Sequence, residues 1–150
     1  FKEAMIISIC LTTLFLFFTL KNYKKVFIVF INLAAALLFS LSFLTLLGLD
    51  LNFANIIALP LLFGLGAATS IQTILRTEKF KTLDDYFRNS TTPRAIIFSL
   101  LTTLGTFFVL SLSSHVGTAS MGKLLIISLF SIFLANLTIL IPLEKYFFKK

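Results

Sequence analysis

Charged residues divide the chain into five long uncharged stretches, at 4–20, 26–49, 51–75, 95–122 and 124–143. Each is about as long as the roughly 17–25 apolar residues with which a helix crosses the hydrocarbon core of a bilayer. Leu, Ile and Phe form continuous runs that do not alternate with polar residues, unlike the strands of a membrane β-barrel. A secretory signal could account for one such stretch, and never for five. The pattern predicts five membrane-spanning helices, near 4–20, 26–47, 53–75, 95–112 and 124–143.

The composition excludes a water-soluble domain. Of the 150 residues, 58% are hydrophobic and only 13% are charged, and the mean hydropathy is +1.02, whereas about 25% of a typical soluble domain is charged. Intrinsic disorder is excluded for the same reason, because it requires low hydrophobicity. The single cysteine, Cys10, allows no disulfide framework. The predicted fold class is therefore an all-α integral membrane protein.

The net charge of +7 is distributed in a way that predicts topology. Eleven of the thirteen Lys and Arg residues lie in the islands 21–25, 76–94 and 144–150, on one side of a five-helix chain, and only Lys2 and Lys123 fall on the other side. By the positive-inside rule the three islands are predicted to be cytoplasmic and the N-terminus external. Nucleic acid is not expected as a partner, because nothing in the pattern indicates a soluble module with a basic groove and base-stacking aromatics.

The island between the third and fourth helices contains a short amphipathic segment near 80–92. Thr82 and Asp85 have the spacing of a capping box. Three apolar residues share one helical face, at intervals of three and four: Phe80, Leu83 and Phe87. This segment is predicted to lie in the membrane interface and to anchor the inner surface.

Polar and small residues form stripes inside three of the predicted spans. Polar side chains within lipid usually face other helices or an internal path, and small residues let a neighbouring backbone come close. The second helix aligns Asn32, Ala36 and Ser40, the third aligns Gly64, Ala68 and Gln72, and the fourth aligns Ser99, Thr102, Thr103 and Thr106. The stripes predict a packed bundle core, with another backbone passing close to Gly64; they do not by themselves indicate a transport path.

The residues expected of an enzyme or of a metal site are not found in this pattern. No Asp, Glu, Lys, Arg or His lies in the middle of a predicted span, and His115 falls in an outer loop. There is no paired carboxylate, no cluster with metal-ligand spacing and no activated nucleophile in the sequence. We therefore expect no catalytic residues, no metal, no cofactor and no enzymatic activity.

Three sequence segments together resemble a known family of membrane transporters. They are residues 52–66 (NFANIIALPLLFGLG), residues 90–105 (STTPRAIIFSLLTTLG) and residues 110–122 (LSLSSHVGTASMG). The pattern is similar to the second half of resistance-nodulation-division (RND) exporters, in the MMPL-like branch associated with hopanoid biosynthesis. The resemblance implies that the chain is the C-terminal, five-helix part of a twelve-helix bundle, with the remainder of a longer transporter preceding it. It implies a motif helix with Asn55, Gly64, Gly66, Ala68 and Gln72, faced by a polar helix with Ser99, Thr102, Thr103 and Thr106.

The chain departs from the family pattern where that family has an Asp and a His. Ala68 stands at the acidic position and Gln72 at the histidine position. A methyl group and an amide cannot cycle a proton, so a relay built on these two side chains is absent from this half. Three accounts remain open: coupling resides in the other half, coupling has been lost, or a diverged protein transports passively.

The resemblance implies a multi-pass protein of the bacterial inner membrane, with a cytoplasmic C-terminus, that exports hydrophobic, hopanoid-like lipids with the proton-motive force. Its expected partners are membrane lipids, the remainder of the transporter, and either periplasmic proteins or further copies of itself. A sterol-sensing-like lipid receptor or scaffold without transport is the alternative, and Ala68 and Gln72 favour it. An accessory subunit of protein export is a third reading, against which the loop motifs argue.

Overall fold

The computed structural model describes residues 2–49, 52, 56, 58–79, 88 and 91–148. They form five helices: α1 (Lys2–Leu20), α2 (Tyr23–Leu46), α3 (Leu59–Thr77), α4 (Thr92–Ser111) and α5 (Val116–Phe147). Four of the described helices, α2 to α5, are long and apolar enough to cross a membrane. The apolar part of α1, Met5–Leu20, is shorter. The all-α membrane fold predicted from the sequence is confirmed. Most of the interfacial segment near 80–92, and Asn55, lie outside the described residues.

A connection of two residues sets α1 and α2 antiparallel. Only Lys21 and Asn22 join α1 to α2; Lys21 has a φ of 48°, and the side-chain oxygen of Asn22 accepts a 3.0 Å hydrogen bond from the Lys24 N–H. The α2 helix ends in a Schellman motif, because the N–H of Leu49 donates to the carbonyl of Leu44 at 3.0 Å and that of Gly48 to the carbonyl of Thr45. Gly48 has a φ of 62°, which suits this left-handed position.

The α2 and α5 helices pack along each other at the centre, α1 lies against α3, and α4 packs mainly on α5. The contact between α4 and α5 depends on Gly122: a Cβ at this residue would lie 2.5 Å from the backbone nitrogen of Ser111. Large apolar side chains of α1 and α4 face outward, for example Phe18 (78% exposed) and Val109 (70%). Apolar surface of this extent indicates a face covered by lipid or protein.

The α5 helix is longer at both ends than the uncharged run 124–143 from which it was predicted. It begins at Val116, so Lys123 lies within the helix. It also changes pitch toward its C-terminal end, where a π-helical turn, Asn136–Leu140, separates two α-helical parts, Val116–Ala135 and Ile141–Phe147. Pro142 is the second residue after this turn. A proline cannot donate an i to i−4 bond, and the wider turn relieves the clash that its ring would make with the carbonyl four residues earlier.

Candidate functional site

A cleft of about 180 Å³ opens between α3, α4 and α5. Four residues expected from the sequence to form the site line it: Ala68, Gln72, Ser99 and Thr103. The rest of its lining is Leu65, Thr69, Ile96, Leu100, Leu129, Ile132, Phe133 and Asn136. The fold therefore brings part of the motif helix and part of the facing polar helix to one place.

Other residues expected at the site lie elsewhere. Thr102 and Thr106 are exposed and do not line the cleft. The close helix approach predicted at Gly64 is not found there, because no described atom lies within 4 Å of the position of a Cβ on that residue. Gly66 makes the close contact instead: its Cβ position is 2.5 Å from the Cδ2 of Leu33 and 3.4 Å from the Cδ1 of Ile132. Two residues correspond to about 200° of rotation around a helix, so Gly64 and Gly66 point to nearly opposite sides.

The hydroxyl groups of α4 donate to their own helix. Thr102 and Thr103 both donate to the carbonyl of Ser99, at 2.9 and 2.8 Å, and Thr106 donates to the carbonyl of Thr102 at 3.2 Å. Back-bonding of this kind keeps a hydroxyl hydrogen paired within an apolar medium. Each oxygen can still accept a hydrogen bond, so Thr103 presents an acceptor at the cleft.

A buried network of amides and a hydroxyl lies behind the cleft. Asn32 of α2 is fully buried, and its amide nitrogen donates to the Oδ1 of Asn136 at 2.7 Å and to the Oγ of Ser70 at 3.1 Å. The Ser70 hydroxyl in turn lies 2.7 Å from the carbonyl of Gly66 and 3.2 Å from the Oδ1 of Asn136. Three helices are joined by these bonds, in an interior where an unpaired polar group is costly.

Asn136 connects this network with the cleft. Its amide nitrogen lies 3.4 Å from the hydroxyl oxygen of Thr69, a long hydrogen bond, and both residues line the cleft. Asn136 is also the first residue of the π-helical turn. A change in the turn would therefore move a side chain shared by the network and the cleft.

A second polar contact lies farther along the same interface. The hydroxyl oxygens of Ser40 and Ser128 are 2.6 Å apart, and both residues are buried. The sequence stripe of Asn32, Ala36 and Ser40 is thus confirmed as a buried face. Its partners, Ser70, Ser128 and Asn136, were not predicted, although Ser128 and Asn136 stand eight residues apart and so share a face of α5.

The cleft contains hydrogen-bonding groups but no ionisable side chain among its described lining residues. Amides and hydroxyls can bind a polar group of a ligand or a chain of water molecules. They do not gain or lose a proton near neutral pH. The chemistry available at this site is therefore hydrogen bonding to a ligand or to water, together with reorientation of the amide and hydroxyl groups.

Charged residues cluster at one end of the bundle. Lys25 forms an ion pair with Glu78, and its ammonium lies 5.3 Å from the centre of the Phe148 ring. Lys145 donates to the carbonyl of Thr77 at 2.9 Å, at the C-terminal end of α3. Glu144 is buried beside them. The three basic islands thus meet, through these residues, at a single end of the molecule.

Comparison with known proteins supports the resemblance inferred from the motifs. The chain is 41% identical over 129 residues to the hopanoid transporter HpnN of Rhodopseudomonas palustris and 37% identical over 129 residues to the hopanoid transporter HpnN of Burkholderia multivorans. Each match includes 86% of this chain and 14% of the relative's length, so the chain spans about a seventh of these proteins. No protein-family model matches the chain, and no solved structure matches it. The chain is a multi-pass membrane segment similar to part of the HpnN hopanoid transporters, as the RND-type resemblance of its motifs implies.

Proposed function

We propose that this chain forms part of the membrane bundle of an RND-type exporter that moves hydrophobic, hopanoid-like lipids out of the bacterial inner membrane. The observation that carries the proposal is the 41% identity to a hopanoid transporter over 86% of the chain. The proposed role is not enzymatic. The end of the bundle that bears Lys25, Glu78 and Lys145 faces the cytoplasm, as does the C-terminus.

We further propose that the proton-motive force drives export through groups outside this cleft. The support is chemical: Ala68 and Gln72 stand where the family pattern has an Asp and a His, and the neighbouring Ser99, Thr103 and Asn136 are neutral. In this account the bundle does not transfer protons at the cleft. It transmits motion through the helices that Asn32, Ser70 and Asn136 hold together.

A lipid receptor or scaffold that transports nothing is the second candidate function. The neutral cleft favours it, since a receptor needs a binding groove and no proton relay. The two functions differ in one measurable quantity, the net flux of lipid.

The test is lipid efflux by the full-length protein in proteoliposomes, with and without an imposed pH gradient. We expect export of hopanoid to be faster with the gradient, and Gln72→Leu to preserve the gradient-dependent part of the rate. Leu75→Ala, at an exposed position on α3 outside the cleft, is the matched control. If Gln72→Leu abolishes only the gradient-dependent part, Gln72 belongs to the relay. If neither the wild type nor any variant exports lipid, the result favours the function of a lipid receptor or scaffold.

A further inference from the structure

A second cavity, of about 370 Å³, lies at the opposite end of the bundle from the charged cluster. It is formed where α2 ends and α5 begins, and its walls are mainly apolar, with Leu44, Leu49 and Leu124 among them. Three polar residues also line it: Asn52, Ser120 and Lys123. Its volume falls within the range of about 300–1,000 Å³ that is common for ligand pockets.

Lys123 gives this cavity a positive charge. Its side chain is exposed, and its ammonium forms no hydrogen bond or ion pair with any described residue. Asn52 and Ser120 are bonded to each other, the amide nitrogen of Asn52 donating to the Ser120 hydroxyl at 2.7 Å. The ammonium of Lys123 beside an apolar wall forms a surface complementary to an amphiphile with an anionic head.

The depth of Lys123 along α5 indicates which amphiphile would meet it. Lys123 and Glu144 border the uncharged run 124–143. Their separation corresponds to a rise of about 32 Å in an α-helix, close to the roughly 30 Å thickness of the hydrocarbon core. In a helix that crosses the bilayer with Glu144 at the headgroups of one leaflet, Lys123 would therefore lie at the level of the phosphates and glycerol backbones of the opposite leaflet. The leucines of the cavity lie beside it, within reach of an acyl chain.

We propose that this cavity is a binding site for an anionic phospholipid, with the phosphate at Lys123 and one acyl chain against Leu44, Leu49 and Leu124. The site is separate from the cleft and does not depend on which lipid is exported. A bound phospholipid would join the end of α2 to the beginning of α5. A lysine that only reaches toward the general headgroup layer would need no cavity, and this difference allows a test.

The test is native mass spectrometry of the full-length protein, purified in a neutral detergent and supplied with either phosphatidylglycerol or phosphatidylcholine. We expect the wild type to retain one more phosphatidylglycerol than does Lys123→Gln. Ala119→Leu, which fills the cavity and keeps the charge, should lose the same lipid. Lys24→Gln, an exposed charge change at the other end, should retain it, and so should Lys123→Arg.

The proposal is overturned if Lys123→Gln retains as much phosphatidylglycerol as the wild type does. It is also overturned if Ala119→Leu retains the lipid that Lys123→Gln loses, because the lysine would then contact the general headgroup layer without the cavity. Should Lys123→Gln not fold, the comparison of Ala119→Leu with the wild type decides the question alone.

Discussion

At the scale of single residues, the amide of Asn32 joins α2 to both α3 and α5. Both of its hydrogens have acceptors, on Ser70 and Asn136, whereas its carbonyl oxygen has no partner among the described residues. A buried oxygen without a partner reduces what the amide contributes to stability. Hydrogen bonds between helices in membranes contribute about 0.6 kcal/mol on average and about 1.7 kcal/mol at most. The network is therefore expected to determine which helices meet more than how stable the bundle is.

A double-mutant cycle on Asn32 and Asn136 tests this network. We expect Asn32→Leu and Asn136→Leu each to lower the free energy of unfolding of the full-length protein in micelles. The double variant should lose less than the sum of the two, with a coupling of about 0.6–1.7 kcal/mol. Ser42→Ala, which removes an exposed hydroxyl that bonds only to its own helix, is the control and should have little effect. Additive losses would mean that the 2.7 Å contact contributes nothing of its own.

The sequence predicted one side of these contacts and not the other. Periodicity identifies residues that share a face, so Asn32 and Ser40 could be recognised as a buried stripe. It does not identify the helix that packs on that face, so Ser70, Ser128 and Asn136 were not recognised as partners. The third helix illustrates the same limit, because Gly64 and Gly66 are equally small and only the arrangement of α2 and α5 determines that Gly66 is the packed one.

At the scale of helices, α4 and α5 form a hairpin whose two backbones approach each other at Gly122. A Cβ there would lie 2.5 Å from the nitrogen of Ser111 and 2.8 Å from the carbonyl carbon of Leu110. Backbone atoms cannot move aside as the end of a side chain can. We therefore expect Gly122→Ala to lower the melting temperature of the full-length protein, with a loss of stability of about 1–3 kcal/mol or more.

Gly105→Ala is the matched control for this substitution. No described atom lies within 4 Å of its Cβ position, and alanine is favoured over glycine in a helix by about 1 kcal/mol. The melting temperature of the Gly105→Ala variant should equal or exceed that of the wild type. Equal melting temperatures for the Gly122 and Gly105 variants would show that α4 and α5 do not approach each other as described.

The π-helical turn of α5 leads to a prediction about deletions. The N–H of Ile141 donates to the carbonyl of Asn136, five residues earlier, so the turn contains one residue more than an α-helical turn does. Deleting Thr138, an exposed residue of the turn, should convert it into an α-helical turn and leave the faces on both sides aligned. Deleting Phe130 from the regular helix should rotate everything beyond it by about 100° and misalign the buried residues.

These deletions are compared by expression level and melting temperature of the full-length protein. The deletion of Thr138 should be far better tolerated than that of Phe130. Phe130→Ala separates the loss of the ring, which packs against Phe43 at 6.1 Å, from the change of register. If both deletions are equally harmful, the turn does not contain an extra residue that the helix can lose without a change of register. Pro142 indicates in the sequence that the helix is irregular there. It does not predict that the wider turn is formed by Asn136–Leu140.

At the scale of the whole molecule, the charge pattern was the most informative feature of the sequence. It predicted five helices and grouped the basic islands 21–25, 76–94 and 144–150 on one side. In the structure, the contacts of Lys25 with Glu78 and of Lys145 with Thr77 bring parts of all three islands to one end. The ends of α5 were predicted less well, because Lys123 interrupts the uncharged run without interrupting the helix. Charge indicates where lipid ends, and helices continue beyond that point.

The final prediction concerns which end faces the cytoplasm. In the full-length protein without its own accessible cysteines, we expect single cysteines at Lys24 and Asn89 to resist an impermeant thiol reagent in intact cells, because both lie in basic islands that should be retained inside. A cysteine at Ser114, an exposed residue between α4 and α5, should react. All three should react after the membrane is permeabilised, which controls for burial. Labelling at Lys24 and Asn89 but not at Ser114 in intact cells would show that the topology is the opposite of the predicted one. The Lys123 cavity would then lie in the cytoplasmic leaflet.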